Sequence, residues 1–123
     1  MCQRAVGLPV LMGHPTTGML DSPEFAARCI GVTVFARVLD DELWAVARIL
    51  DATANMLIAS GEIDDTSPAV TFEPGTGSRI FVDGKPLFIE PNPILIDHVC
   101  ITPRGVWTRD GSPGVATESA EAA

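Results

Sequence analysis

Basic side chains are scarce in this chain and stand singly: eight Lys and Arg among 123 residues face sixteen Asp and Glu, for a formal charge of −8 and a pI near 4.5. Binding to a phosphate backbone rests on clustered cations, so nucleic acid is excluded as a partner, and an anionic membrane surface with it. Cysteine is also sparse. Cys2, Cys29 and Cys100 are odd in number and far apart, which excludes a disulfide scaffold and a paired-cysteine zinc module and fits a reducing compartment. No apolar run approaches the length of a membrane span, and no basic segment followed by a long apolar one opens the chain. The expectation is a protein that is neither exported nor anchored. Histidine occurs only at His14 and His98, so imidazole chemistry, if present, has two places to be.

What is abundant is hydrocarbon. The apolar content of 46% and mean hydropathy of +0.27 specify a globular chain, and its length supports one domain with a modest core. That domain is expected over residues 1–109. From Asp110 to the end at residue 123 the residues are small, polar and acidic, which predicts a solvated tail.

The most strand-like run is 94–102, Ile-Leu-Ile-Asp-His-Val-Cys-Ile-Thr, bounded by Pro91 and Pro93 before it and Pro103 after it. It reads as a buried central strand. Asp97 and His98 interrupt it side by side, and strict alternation along a strand expects them on opposite faces. A polar group buried there costs free energy unless something hydrogen-bonds it, and His14 is the first candidate partner for His98.

In chain order, 8–12 is a short apolar strand ending at the turn Gly13-His14-Pro15. Ser22-Pro23-Glu24 predicts a helix start, with Ser22 as the hydroxyl cap and a turn or two through Cys29. Residues 31–38 alternate, Asp40-Asp41 turns the chain, and 42–50 answers, which together predict a long, half-buried antiparallel hairpin. Asp51 caps a helix over 52–60 that Gly61 ends. A polar acidic turn over 62–66 leads through Ser67-Pro68 to a strand from Ala69 to Phe72. Asp83-Gly84 makes a second hairpin of 79–82 and 86–89, and 105–108 adds a short edge strand. The sum is a mainly β (α+β) fold: a small closed or partly open antiparallel β-barrel with one or two short peripheral helices.

The order Pro9-Val10, Gly13-His14-Pro15, a strand pair, a helix ending at Ser60-Gly61, a serine before a strand, Asp97-His98-Val99 and Pro103-Arg104-Gly105 resembles a phage head-gene domain family. Members of that family are similar to the prohead maturation proteases of tailed phages and, more distantly, to the herpesvirus assemblins, which are β-barrel serine proteases. The resemblance covers roughly residues 8–109. It implies a serine endopeptidase that cuts scaffold or major capsid protein, works in the host cytoplasm on the prohead or virion capsid, and is homo-oligomeric or capsid-associated. It further implies catalytic residues in the order His14, Ser67, His98, with no cofactor and no metal. The alternative is a catalytically inactive relative that serves as a capsid cement or decoration protein, with both histidines as satisfied core residues.

The chemistry needs these residue types. A serine hydroxyl is unreactive at neutral pH until an imidazole accepts its proton, and that imidazole works better when a third group fixes its tautomer. As third member His98 would stabilise the imidazolium less than an ionised Asp does. Two features depart from the resemblance. Pro68 follows the serine and has no N–H to give an oxyanion hole, where each donor matters by ~10²–10³ in rate. The family also has further strands before the Gly-His-Pro turn, and a barrel lacking one exposes edges that tend to pair with another subunit.

Other constellations are weaker. His98 and Cys100 share a strand face and with His14 suggest a zinc or copper site, but no fourth ligand or paired-cysteine spacing supports one. Asp40-Asp41-Glu42 and Asp64-Asp65 read as solvated turns, and Gly75-Thr76-Gly77-Ser78 lacks the lysine of a phosphate loop. Trp44 and Trp107 read as core or interface aromatics.

Overall fold

The computed structural model describes residues 2–103 and 114–116. A 3₁₀ turn, Cys2–Ala5, is followed by β1 (Pro9–Met12), α1 (Ser22–Arg28), β2 (Cys29–Leu39), β3 (Glu42–Ile49), α2 (Ala52–Ser60), β4 (Asp65–Thr71), β5 (Ser78–Val82), β6 (Lys85–Ile89) and β7 (Leu95–Thr102). Five strands form one sheet in the order β3-β2-β1-β7-β4, curled into a half-barrel, and β5 and β6 form a separate hairpin. The expected mainly β, partly open architecture with two short helices is thus what the chain adopts. Its central pair, β1 with β7, is parallel, and the other pairs are antiparallel.

Local chemistry sets the boundaries. Asp51 accepts the Ala54 N–H at 2.8 Å to open α2, and Gly61, at φ 77°, closes it with its own N–H directed back to Ile58 and Leu57. The α1 cap is Asp21, one residue before the expected Ser22: its carboxylate accepts the Glu24 N–H at 2.9 Å, and Ser22 and Pro23 fill the first helical positions. Asp40 and Asp41 both turn through positive φ, as do Asp83 and Gly84, which is the two-residue geometry that matches the twist of a hairpin.

Hydrophobic packing lies on one face of the sheet. Val10, Ile30, Ile63 and Ile101 pack with Ala54 of α2, and Ala5, Leu8 and Ile96 form a second cluster with Val99 beneath the 3₁₀ turn. Thr33 ties that turn down, accepting the Leu8 N–H at 2.9 Å and donating its hydroxyl to the Ala5 carbonyl. Register then assigns the other face. Leu11 on β1 lies beside Cys100 on β7, which lies beside Ser67 on β4, and all three are buried.

Three expectations need correction. The long hairpin is buried only near its base: beyond Thr33, β2 apart from Ala36 and β3 apart from Ile49 are exposed, and Phe35, Trp44 and Val46 all lie open. Trp44 is therefore no core residue. Ser67 does not sit in a loop after α2 but inside β4, because that strand begins at Asp65 and runs through Pro68. Proline is tolerated there because β4 is an edge strand, where a missing N–H breaks no ladder on the open side. Finally, part of the expected tail is docked. Gly114 bridges to Asp65, the Val115 N–H donates to the Asp64 carbonyl at 2.8 Å, and Val115 packs on the first cluster. The expected edge strand over 105–108, with Trp107, lies outside the described residues.

Candidate active site

Ser67, His14 and His98 come from β4, the turn after β1, and β7. Gly13 at φ 78° reverses the chain directly after β1 and swings His14 back over the sheet; a Cβ there would also lie 3.2 Å from Arg28 Nη1. Pro15 is buried behind it and His14 itself is partly open to solvent. His14 Nε2 lies 2.9 Å from Ser67 Oγ, and His14 Nδ1 lies 3.1 Å from His98 Nε2, the two rings meeting edge-on at 62°. His14 is therefore within hydrogen-bond reach of both Ser67 and His98, the other two residues named from the sequence.

The network continues one residue further. His98 Nδ1 lies 2.7 Å from Asp97 Oδ2, and the same oxygen accepts the Leu20 N–H at 2.9 Å. Asp97 was expected on the opposite face. The register explains the difference: Ala69 pairs with His98 while the adjacent Val70 pairs with Ile96, so Asp97 is an extra residue on β7. Such a bulge breaks the alternation and lets two successive side chains point the same way. Ile96 and Val99 stay together in the hydrophobic cluster on the far face, as an interruption at Asp97 requires.

One assignment of protons satisfies the whole row. Ser67 Oγ–H donates to His14 Nε2, His14 Nδ1–H to His98 Nε2, and His98 Nδ1–H to Asp97. A carboxylate can only accept, so Asp97 obliges the facing His98 nitrogen to carry the hydrogen, and each tautomer then follows from the next. His98 is fully buried. An unpaired polar group in that position costs roughly 2–7 kcal/mol, so hydrogen bonds at both nitrogens decide whether the residue is tolerable. Among the described residues no buried side-chain nitrogen or oxygen lacks a partner.

Titration favours the same arrangement. Burial first, and then the neighbouring His98, lower the His14 pKa below 6.5, so at neutral pH its Nε2 is an unprotonated acceptor. Cys100, fully buried beneath the histidines, has its Sγ 3.1 Å from His14 Nδ1. Burial pushes its thiol up to about 12 against a smaller opposing pull from Arg28. Cys100 is therefore protonated and a poor nucleophile. Arg28, paired with Glu24, lies over the Gly13 turn.

Cys100 was legible as a residue sharing a face with His98. The part played by Asp97 was not, because a bulge depends on the partner strand, and the Leu20 N–H leaves no trace in side-chain identity. A separate shallow cleft of about 530 Å³, lined by Pro9, Phe25, Cys29, Leu50 and others, shares no residue with this network. Among the described residues no helix is long and apolar enough to cross a membrane. No protein-family model matches the chain, and neither a curated protein nor a solved structure matches it.

Proposed function

We propose that this chain is a serine endopeptidase of the prohead-maturation kind, acting during phage head assembly on scaffold or major capsid protein. The observation that carries the reading is the unbroken row Ser67–His14–His98–Asp97, with contacts of 2.9, 3.1 and 2.7 Å. In it Ser67 Oγ attacks the scissile carbonyl while its proton passes to His14 Nε2. The imidazolium so formed is held by His98, whose own N–H is held by ionised Asp97, so the charge absent from an imidazole third member is supplied one residue further out. His14 then returns the proton to the leaving amine, and water releases the acyl group by the same steps in reverse. The residue after the nucleophile is Pro68, so the developing oxyanion takes no amide from that position.

Co-expression with the scaffold and capsid proteins of the same head-gene set tests this. The wild-type chain is expected to shorten one of them, and Ser67→Ala, folded by circular dichroism, to leave it full length. An identical cleavage pattern in the two would overturn the reading.

A second reading, a catalytically silent capsid cement protein, is favoured by a different observation. Phe81, Leu87 and Phe88 of the β5–β6 hairpin are exposed, as are Val34, Phe35 and Val46 of the long hairpin. The register places Phe81 and Phe88 diagonally on one face of their hairpin, and contiguous exposed apolar surface is typical of assembly contacts. Stoichiometric retention on mature capsids, with Ser67→Ala assembling normally, would favour it.

A further inference from the structure

Cys100 has no part in the relay, yet its sulfur is fully buried against the relay's central imidazole. His14, His98 and Cys100 each offer a ligand atom, and these atoms lie within 4.8 Å of one another. Two of the separations are 3.1 Å. Around a tetrahedral zinc ion, with bonds of about 2.0–2.3 Å, neighbouring nitrogen and sulfur ligands stand ~3.3–3.6 Å apart. The trio is thus a few tenths of an ångström tighter than a loaded site at two of its edges. An outward swing of the partly exposed His14 ring opens it without moving β7.

The surroundings of His98 supply an independent argument. Its Nδ1–H is held by Asp97 at 2.7 Å, and Asp97 is held in turn by the Leu20 N–H. This leaves Nε2 unprotonated, with its lone pair directed at the trio. A carboxylate behind a histidine, fixing the tautomer and raising its basicity, is the arrangement that supports metal-ligating imidazoles. Two imidazoles and a thiol form a borderline-soft donor set that suits zinc and excludes magnesium and calcium.

We propose that His14 Nδ1, His98 Nε2 and Cys100 Sγ form a site for a thiophilic divalent cation of the zinc class, and that occupancy of this site is incompatible with the serine relay. The two states differ in the His14 tautomer. In the relay His14 carries its proton on Nδ1 and accepts from Ser67 at Nε2. With the metal on Nδ1 the proton resides on Nε2, which then cannot accept from Ser67. Loading also releases the Cys100 thiol proton to solvent, so the bound sulfur is a thiolate and the cation's charge is partly offset. Water completes the fourth position from the open side of His14. Only the inhibitory consequence rests on the protease reading; the site itself does not.

The test uses the full chain stripped of metal and titrated with zinc, followed by calorimetry, and with cobalt(II), followed by its sulfur-to-metal charge-transfer absorption. One ion per chain is expected, with that absorption lost in Cys100→Ser and affinity lowered roughly 10–100-fold in Asp97→Asn. Ser67→Ala and Cys29→Ser are expected to bind as the wild type does. Because Ser67→Ala keeps the ligands, its binding separates failure of the metal site from failure of the protease reading. Absence of stoichiometric binding, or binding indifferent to both Cys100→Ser and His98→Gln in folded protein, would overturn the proposal.

Discussion

Asp97 and His98, adjacent along β7, point to the same side of the sheet, and the Asp97 carboxylate lies 2.7 Å from the His98 ring nitrogen. An extra residue in one strand produces this, and it turns a pair of histidines into a row that ends in a charge.

Asp97→Asn keeps the shape and removes the charge. The amide can present its own hydrogens to His98 Nδ1, which favours the wrong tautomer. Acylation of Ser67 is expected to slow by roughly 10–100-fold, the range of outer partners behind a histidine. Substrate KM should change little. Pre-steady-state acylation with an activated ester checks this, and Asp97→Glu is expected to restore part of the rate.

The pH dependence follows from the direction of the His14 shift. Its folded pKa lies below the unfolded value of 6.5, so the folded state binds fewer protons in the interval between the two. The associated stability is fully present above 6.5 and is lost as pH falls through the lowered folded value. Activity should likewise hold on moderate acidification and fall only once His14 protonates. Denaturant midpoints and acylation rates across that interval check both, and a rate that already falls above pH 6.5 would contradict the shift.

Leu11 is fully buried on the site face beside Cys100. Leu11→Ala is expected to cost ~2–5 kcal/mol, the usual range for such a truncation. Urea denaturation measures this. The two clusters are small, so a loss of that size is a large share of the total stability.

Phe88 is 59% exposed on the β5–β6 hairpin, so Phe88→Asp should leave stability within about 0.5 kcal/mol. If this hairpin makes an assembly contact, the same substitution should lower self-association or capsid binding in sedimentation experiments. An unchanged sedimentation profile assigns the contact elsewhere.

Much of this arrangement was legible in sequence because local chemistry and global fold agree. Aspartate before α2 and Gly61 after it mark the helix, paired turn residues mark both hairpins, and prolines bracket β7. The apolar run from Ile94 to Ile101 announced an inner strand, and the presence of only two histidines in the sequence announced where to look. Burial of the hairpins was not legible, since alternation records which residues share a face and not whether anything covers it. Asp97's orientation depends on Ala69 and Val70 across the ladder, and Ser67's place in a strand depends on β4 lying at an edge that tolerates Pro68. Such features belong to pairs of segments, and neither segment carries them alone.

Activation of Ser67 as a nucleophile through His14 is tested by exposing the folded chain to a fluorophosphonate and reading the adduct by peptide mass spectrometry. One adduct is expected, on Ser67, formed far faster than on any other serine and lost in His14→Gln. Labelling absent from Ser67, or equally fast without His14, would contradict it.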